Sequence, residues 1–435
     1  MRFNERIRNI IFWFVDFING GSVRKHYNDV KSLIEYPEKE STVDKQKLYL
    51  DLILKHASKT SPFYKTINPA DLQNFLVINK EIVKSAQDKF QSVEYVKRKK
   101  VAVYTSGSTG ASFTVYQDLN KKARNTADIV YFSELAGFEV GYRLFYLRFW
   151  NMFKEKSMLM SLIQNVVSVN VFDLSPLTIK KMINIISKSK SNKGMIGYAS
   201  SFNKICKYLD VIESENIEGN VKSVIGISER LEPYTKLAMK KYFNVDMVSR
   251  YSNAENGMIA QQPLSKEYFK INWASYYVEI LNFDNDNTTE NGVLGRIVIT
   301  DLFNYNEPMI RYDTGDIGIM DSVIEDDKEV LVLTKIEGRK MDMIKNTAGE
   351  ILSTSILLLI NKYEEIEQRQ IIQKTKNEYV FKLKIDNQYF TKEKEFIREF
   401  KGYLGQDAII KLLYVEEIPL LVSGKQRAIV NEVDI

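Results

Sequence analysis

Apolar residues recur every three or four positions in the first part of the chain. The stretch 45–58 has this spacing, which is typical of an amphipathic helix. The apolar run 10–15 follows Arg2, Arg6 and Arg8 and has a similar helical character. The pattern therefore predicts a mainly helical lead-in over residues 1–98.

From residue 101 onward, short runs of β-branched and aromatic residues alternate with helical patterns. Such runs lie at 101–104, 143–148, 167–172, 194–198, 223–227 and 247–251. Strands that alternate with helices favour a sheet of parallel strands with helices packed on it. We therefore expect an α/β body built on largely parallel strands.

The sequence pattern changes near residue 276, where strand-like runs no longer alternate with helical patterns. Runs typical of strands lie at 276–283, 295–301, 317–320 and 330–336, separated by Asn, Asp and Gly turns. We interpret them as a smaller β-rich subdomain. After Gly338 about 97 residues remain, enough for a small mobile α+β domain. The predicted domains are a helical lead-in at 1–98, a core at 99–337 and a C-terminal lid at 338–435.

Composition narrows the class of protein. The chain has 435 residues and 44% hydrophobic content, so it can bury a substantial core. Its 61 basic residues exceed its 56 acidic ones by too little to indicate a nucleic-acid surface. One cysteine, Cys206, excludes an internal disulfide framework, and two histidines leave little material for a zinc site. We expect a cytoplasmic protein, as a monomer or a dimer.

The first segment has two interpretations. Its apolar run, 10–18, contains Asp16 and is too short to span a bilayer, and it lacks the small-residue cleavage site of a signal peptide. With three arginines before it, the segment could rest on a membrane surface as an amphipathic helix. The alternative is a helix docked on its own domain.

A loop rich in hydroxyl groups and glycine follows the apolar run at 101–103. It reads Tyr104-Thr-Ser-Gly-Ser-Thr-Gly110. Glycines let backbone amides approach an anion closely, and hydroxyls add donors around a polyphosphate. The usual nucleotide P-loop is excluded because the Gly-Lys-Ser/Thr ending is absent. Read alone, the loop fits a phosphate site or an ordinary polar turn equally well.

Four further motifs follow this loop in order along the chain. They are Arg250-Tyr-Ser-Asn-Ala-Glu255, Arg311-Tyr-Asp-Thr-Gly-Asp316, Gly338-Arg-Lys-Met-Asp-Met-Ile-Lys345 and Ser423-Gly-Lys-Gln-Arg427. Together the five resemble the signatures of the adenylate-forming superfamily of acyl-CoA ligases, luciferases and peptide-synthetase adenylation domains. Five ordered matches are implausible as coincidence, and the resemblance covers about residues 25–430.

Other segments resemble one branch of that superfamily. His56-Ala57 followed by Pro62-Phe63-Tyr64 resembles the lead-in of the phenylacetate-CoA ligase branch. Within that branch, the short lead-in and Asn346-Thr-Ala-Gly-Glu350 resemble the CapK-type proteins of capsular polysaccharide synthesis. The resemblance implies ATP and Mg²⁺ as cofactors and coenzyme A as one possible acceptor.

The resemblance also implies roles for individual residues. Lys425 would drive adenylation and Glu255 would bind Mg²⁺, while Lys340 and Met341 occupy the hinge. An acyl pocket would include Tyr198, Ala199 and Gly226. The nucleotide would meet Thr105, Ser106, Gly107, Ser108, Thr109, Gly110, Ser228, Glu229, Tyr251, Ser252, Asn253, Arg311, Asp316 and Arg339.

Each motif taken alone also has a simpler reading. Tyr251 fits a strand-end core aromatic, and Glu255 and Lys425 fit solvated surface charges. Asp316 belongs to a common turn sequence, and Arg311 could contact phosphate or pair with a local acid. Ser252 and Ala254 stand where many relatives have glycine and threonine, so one potential phosphate hydroxyl is missing.

These residues predict ATP-dependent activation of a carboxylic acid as an acyl-adenylate, with transfer to coenzyme A or to an amine on a sugar-related substrate. The polysaccharide setting follows from the CapK resemblance. One alternative is direct transfer of AMP to a hydroxyl group. Another is a nucleotide-binding protein without turnover.

Overall fold

The structure is a computed structural model that divides into two compact units. The first unit comprises Met1–Thr314 and Gly318–Lys335, and the second comprises Gly315–Ile317 and Ile336–Ile435. The residues described are 1–105, 113–148, 164–325, 327–339, 343–352, 356–360, 362–363, 365–385, 390–419 and 427–433.

The first hundred residues are mainly helical. Their helices are α1 (Phe3–Ile18), α2 (Ser22–Glu35), α3 (Glu40–Thr60), α4 (Lys80–Ser85) and α5 (Gln87–Phe90), with a 3₁₀ turn at Leu72–Asn74. The stretch 45–58 lies inside α3, as its spacing predicts. Asn79 caps α4, because its side-chain oxygen accepts a hydrogen bond from the Ile82 amide at 2.9 Å. No helix in the described ranges has the length and apolar character needed to cross a membrane.

A hairpin of two strands flanks the hydroxyl-rich loop. Strand β1 (Lys100–Thr105) pairs antiparallel with β2 (Phe113–Asp118), in a sheet of their own. The sequence pattern placed the run 101–104 among the strands of the parallel body, and the structure differs here. The reason is connection length, since a short loop can join antiparallel neighbours and a parallel pair needs a longer crossover.

The parallel strands form one half of a large sheet. They are β3 (Arg143–Arg148), β4 (Val166–Asn170), β5 (Lys193–Tyr198), β6 (Val221–Ile227) and β7 (Met247–Asn253). Their order is β4-β3-β5-β6-β7, and each neighbouring pair is parallel. Around them run α6 (Leu119–Leu135), α7 (Pro176–Lys188), α8 (Ala199–Val211) and α9 (Pro233–Phe243), with a 3₁₀ turn at Val171–Asp173.

Both faces of this half are covered. Val224 of β6 belongs to the main apolar core, which it shares with residues of α7, α8 and α9. The next residue, Ile225, points to the other face and packs with Ala136 and Val248. Successive side chains of a strand point to opposite faces, so a strand covered on both sides is apolar at consecutive positions.

The second half of the sheet is antiparallel in its strand pairs at β7–β8, β8–β9, β9–β13 and β10–β11. Its strands are β8 (Gly257–Gln261), β9 (Phe269–Ile271), β10 (Tyr276–Leu281), β11 (Leu294–Asp301), β12 (Tyr312–Glu325) and β13 (Lys328–Arg339). The order continues from β7 as β8-β9-β13-β12-β11-β10. The β-rich strands thus extend the sheet that the parallel strands begin, because β8 turns back along β7.

The second unit has its own sheet and core. Its strands are β14 (Ile366–Gln373), β15 (Glu378–Ile385), β16 (Ile409–Tyr414) and β17 (Ile429–Asn431), and its helices are α10 (Ile356–Ile360) and α11 (Glu393–Leu404). The strand order is β16-β15-β14-β17. Phe381, Phe396 and Phe400 are fully buried between sheet and helix. The mixed α/β architecture expected from the sequence is confirmed.

Candidate functional site

The parallel strands β5, β6 and β7 end at one edge of the sheet. Tyr198, the last residue of β5, pairs with Ile227, the last residue of β6, and Ile227 pairs with Arg250 of β7. Ligands of open α/β sheets bind beyond the carboxyl ends of parallel strands. A ligand site is therefore expected at the residues that follow these strand ends.

The three residues predicted for an acyl pocket come together at this edge. Tyr198 and Ala199 are 7% and 4% exposed. A Cβ atom on Gly226 would lie 3.0 Å from Cε of Met247 and 3.9 Å from Cβ of Ala199. A larger side chain at position 226 would therefore need Met247 to move.

Ser228 and Glu229 form the turn after β6. Ser228 has a φ of 68°, a left-handed conformation that non-glycine residues rarely adopt. Glu229 accepts a hydrogen bond from the Ser200 amide at 2.8 Å, in the first turn of α8. A carboxylate is favoured there because the first amides of a helix have no partner within the helix. Glu229 thus holds its turn against the beginning of α8.

Two hydroxyl groups connect the motif at 250–255 with the motif at 311–316. The Tyr251 hydroxyl donates to Oγ1 of Thr314 at 3.2 Å, and the Tyr312 hydroxyl donates to the Glu255 carboxylate at 3.3 Å. Thr314 in turn donates to the Ile297 carbonyl at 2.9 Å. Residues about 60 positions apart in the sequence therefore form one polar cluster at the end of β7 and the start of β12.

The chain between Tyr251 and Glu255 is shaped by a bulge and a turn. The pairing of β7 with β8 shifts register between Tyr251 and Ser252. Asn253 accepts a hydrogen bond from the Asn256 amide at 2.8 Å, which closes the turn. Bulges redirect side chains at strand ends and are frequent next to active sites.

The hairpin that carries the hydroxyl-rich loop is joined to this cluster through its second strand. Gln117 of β2 donates to the Glu255 carbonyl at 3.0 Å and accepts from the Asn125 side chain at 3.1 Å. Thr105, at the end of β1, pairs with Phe113 across the hairpin. The strands on both sides of the loop are thus fixed relative to the 250–255 motif.

A second set of contacts fixes the hairpin to the segment before β12. Glu307 accepts a hydrogen bond from the Tyr116 amide at 2.8 Å, and Asn304 donates to the Tyr116 carbonyl at 3.2 Å. Glu307 is only 1% exposed. Burial raises the pKa of its carboxyl from 4.5 to about 7, against the smaller opposite effect of the Tyr116 amide.

Glu307 should make the stability of the protein depend on pH. Its folded-state pKa lies above its unfolded value, so the folded state binds the proton more tightly. Its contribution is greatest below pH 4.5 and is lost as the pH rises to about 7, with a difference of up to ~3 kcal/mol. We expect Glu307→Gln to be more stable than the wild type at pH 8 and equal to it near pH 4.5, as measured by urea unfolding.

Glu290→Gln is the matched control, since Glu290 is exposed in a turn. Its difference from the wild type should stay constant across the same pH range. A Glu307→Gln difference that is equally flat would show that folding does not raise the pKa of the Glu307 carboxyl.

Arg311 lies in a buried ion pair. Its guanidinium donates to both carboxylate oxygens of Glu279, each at 3.2 Å, and both side chains are 3% exposed. It also donates to the Phe75 carbonyl at 3.3 Å and to the Asp286 carbonyl at 2.9 Å. Of the two roles that the sequence leaves open, the structure shows the pairing with an acid. A nucleotide contact for Arg311 stays a prediction.

Asp316 and Arg339 are placed on strands. Asp316 lies on β12 and is partly exposed, directly after Gly315, whose φ of 76° is the left-handed conformation that glycine adopts easily. Arg339 is the last residue of β13 and is exposed. Several predicted residues lie outside the described ranges, namely Ser106, Gly107, Ser108, Thr109, Gly110, Lys340, Met341 and Lys425.

Glu255 fits the way proteins hold Mg²⁺ beside a nucleotide. Its side chain is partly exposed, and within the described part of the chain its carboxylate accepts one hydrogen bond, from Tyr312. Mg²⁺ is usually bound by one or two carboxylates together with substrate phosphates and waters. The described residues hold no cluster of three or more His, Cys, Asp or Glu side chains suited to a metal bound by protein alone.

Three residues that form contacts with Tyr251 or Glu255 were not assigned a role from the sequence. Tyr312 and Thr314 stand inside the recognised motif at 311–316, so their position in the motif was the available signal. Gln117 follows the hydroxyl-rich loop by several residues and belongs to no motif. Its role depends on how the hairpin lies against β7, which the local sequence does not encode.

Two sequence comparisons find similarity to CapK, one for the C-terminal domain and one for almost the whole chain. Residues 343–432 match the family described as the CapK C-terminal domain. Protein CapK of Staphylococcus aureus is 21% identical over 453 aligned residues, which cover 96% of this chain and 94% of the relative.

The fold is shared with solved acyl-CoA ligases. A 2-hydroxyisobutyryl-CoA ligase in complex with an acyl-AMP has a TM-score of 0.69 at 14% identity, with 90% of each chain covered. ATP-bound MatB of Rhodopseudomonas palustris has a TM-score of 0.56 at 15% identity, over 75% of this chain and 66% of MatB.

The chain therefore has the fold of the adenylate-forming ligases. Within that class its similarity is to the CapK type, by the match of residues 343–432 to the CapK C-terminal domain and by the similarity of almost the whole chain to Protein CapK. The resemblance stated from the five motifs is confirmed at this level. The assignment to the phenylacetate-CoA ligase branch stays a prediction.

Proposed function

We propose that this protein uses ATP and Mg²⁺ to convert a carboxylic acid into an acyl-adenylate and then transfers the acyl group to an acceptor. The observation that carries the proposal is the pair of hydroxyl contacts that joins Tyr251 and Glu255 to Thr314 and Tyr312. These contacts bring two motifs with nucleotide signatures to the carboxyl edge of the parallel strands, where α/β folds bind ligands.

Tyr251 would stack on the adenine, and its bond to Thr314 would fix the orientation of the ring. Asp316 would accept hydrogen bonds from the ribose hydroxyls, because a carboxylate can receive two donors at once. The hydroxyl-rich loop between β1 and β2 would contact the phosphates. Gln117 supports that role indirectly, since it anchors the hairpin to the backbone of Glu255.

Glu255 would hold the magnesium ion, with Tyr312 orienting the carboxylate. The ion would neutralise charge on the triphosphate and stabilise the leaving pyrophosphate. Lys425 would approach the carboxylate and the α-phosphate, where a compact cation offsets the charge that builds as the new bond forms. The segment at 338–341 would be the hinge that lets the C-terminal domain change position between the two steps.

The similar proteins support both the proposed reaction and the proposed biosynthetic role. The 2-hydroxyisobutyryl-CoA ligase has been solved with an acyl-AMP and with coenzyme A, and MatB has been solved with ATP. We therefore propose coenzyme A or a sugar-borne amine as the acceptor. The similarity to CapK supports a role in cell-surface polysaccharide synthesis.

The test is acid-dependent pyrophosphate release across a panel of aryl, fatty, hydroxy and amino acids, with and without coenzyme A. We expect release with one class of acid and an acyl-AMP that mass spectrometry detects. A product that retains AMP on a hydroxyl group would select AMP transfer instead. ATP binding without pyrophosphate release from any acid would select a binding protein.

Glu255→Gln tests the metal role. Glutamine keeps the acceptor for the Tyr312 hydroxyl and removes the charge, so the fold should be unchanged. We expect the Mg²⁺ concentration for half-maximal pyrophosphate release to rise at least ~10-fold. Glu290→Gln, an exposed carboxylate in the same unit, is the control and should show the wild-type Mg²⁺ dependence. An unchanged Mg²⁺ dependence in Glu255→Gln would remove Glu255 from the metal site.

A further inference from the structure

Polar side chains anchor helix α1 to the rest of its unit, and Trp13 adds an aromatic contact with Tyr27, at 5.4 Å between ring centroids. Glu5 is 1% exposed, and its carboxylate accepts hydrogen bonds from the Asn192 amide at 2.6 Å and the Ser191 hydroxyl at 2.8 Å. The Arg2 amide donates to the same carboxylate at 2.7 Å. A buried acid with this many donors is an anchor for the beginning of the helix.

The same side of the helix is held at two more places. Asn9 donates to the Val140 carbonyl at 3.1 Å, and Asp16 accepts from the Val23 and Arg24 amides at 3.0 and 2.9 Å. Residues 5, 9 and 16 share one side of an α-helix. A Cβ atom at Gly141 would overlap the Glu5 carbonyl oxygen, so the helix lies directly on the backbone.

The apolar side of α1 consequently faces outward. Phe3 is 77% exposed, Ile10 66%, Phe14 58%, Phe17 75% and Ile18 66%. A helix on the surface of a globular protein normally turns its apolar side toward the core, so this arrangement is inverted. Contiguous exposed apolar surface of this kind marks an interaction site.

A basic cavity lies at the beginning of the same helix. Its volume is about 500 Å³, and its lining includes Arg2, Arg8, Arg143 and Lys190. Among the described residues, none of these four cations lies within 4 Å of a carboxylate in an ion pair. Burial lowers the pKa of Arg143, and the nearby charge of Arg8 lowers it further. One acid, Glu5, lines the same cavity, so four cations face one carboxylate and the lining carries net positive charge.

We propose that α1 lies in the interface of an anionic phospholipid bilayer, with its apolar side among the acyl chains and a lipid phosphate in the basic cavity. The helix shows the features of an interfacial helix, namely a wide apolar side with cations beside it. Charge favours a bilayer over a second copy of the chain. A symmetric dimer through this face would bring two identical cationic cavities together, whereas anionic lipid supplies the opposite charge.

Vesicle flotation with the full-length protein tests the apolar side. We expect the wild type to float with vesicles of mixed phosphatidylcholine and phosphatidylglycerol. Phe14→Glu/Phe17→Glu should bind at least ~10-fold more weakly, since both side chains are mostly exposed and the change costs little packing. The matched control is Val211→Glu/Leu237→Glu, because Val211 and Leu237 are 81% and 72% exposed on other helices. Equal binding by both variants would overturn the proposal.

The cavity is tested with charge reversal. Arg8→Glu/Lys190→Glu should lower affinity for the anionic vesicles at least ~10-fold and reduce the dependence on salt. Lys376→Glu/Lys394→Glu reverses two exposed charges elsewhere and should retain most binding. Circular dichroism and urea midpoints establish that each variant is folded.

Three further outcomes would overturn the proposal. The first is equal binding to vesicles of phosphatidylcholine alone, and the second is binding of inorganic phosphate without any binding to vesicles. The third is a wild-type dimer in solution that Phe14→Glu/Phe17→Glu dissociates, with no vesicle binding by either protein. That result would assign the apolar side to a second copy of the chain.

Discussion

Lys425→Ala should lower the rate of acid-dependent pyrophosphate release by ~10²–10³-fold. The side chain is proposed to place a positive charge beside the carboxylate and the α-phosphate, where charge builds as the acyl-adenylate forms. Removing one charge-stabilising group of that kind from an enzyme site costs this much in rate. The affinity for ATP should change little, because Tyr251, Glu255 and Asp316 remain.

The variant also separates the two steps of the proposed reaction. Acyl-adenylate supplied from outside should still be consumed by Lys425→Ala in the presence of the acceptor, since Lys425 acts in the first step. Lys411→Ala is the control, because Lys411 lies in the same unit, on β16, and pairs at the surface with Glu378. A Lys425→Ala rate within a few-fold of the wild type would place the adenylation cation elsewhere.

Arg311→Met should destabilise the protein by about 3–5 kcal/mol. Methionine keeps much of the side-chain length, but it leaves the Glu279 carboxylate buried without its partner. A buried charge that loses its counter-ion has no water to replace it, which is why the cost is large. Urea unfolding at constant pH measures the difference.

A double variant tests the cause. Arg311→Met with Glu279→Leu removes both charges and should recover most of the lost stability, because no unpaired charge remains. Lys236→Met is the surface control: its partner Glu267 is 86% exposed in its side chain, and the loss should be below about 1 kcal/mol. If Arg311→Met were as stable as the wild type and had lost ATP binding, Arg311 would belong to the nucleotide site.

The contrast between Arg311 and Tyr251 shows how much a sequence motif can predict about a site. Both stand in segments that resemble nucleotide signatures, and the sequence leaves two roles open for Arg311, a phosphate contact or a pair with a local acid. In the structure Tyr251 is partly exposed at a strand end, whereas Arg311 is buried against Glu279, which lies 32 positions earlier. A motif therefore identifies the neighbourhood of a site, and burial decides which of its side chains are available to a ligand.

The local pattern of apolar and polar residues was sufficient to predict most strands of the parallel half of the sheet. The runs at 143–148, 194–198, 223–227 and 247–251 fall within β3, β5, β6 and β7. The sequence shows these strands because burial of both faces of a strand selects apolar residues at consecutive positions. The order of the five motifs was also sufficient to indicate the adenylate-forming class, since that signal depends on residue types along the chain.

Tertiary structure decided the features that depend on distant partners. The alternation of apolar residues shows that α1 is amphipathic, but which side faces the protein follows from Asn192 and Val140, far along the chain. In the same way, the antiparallel strands from β8 to β13 continue the parallel sheet because β8 pairs with β7. The sequence by itself determined the helices and the strands, which depend on neighbouring residues, and it indicated the adenylate-forming class through motifs that are read along the chain. Three features depend on contacts between residues that are distant in the sequence, and no local pattern predicts them. They are the ion pair of Arg311, the burial of Glu307 and the exposure of the apolar side of α1.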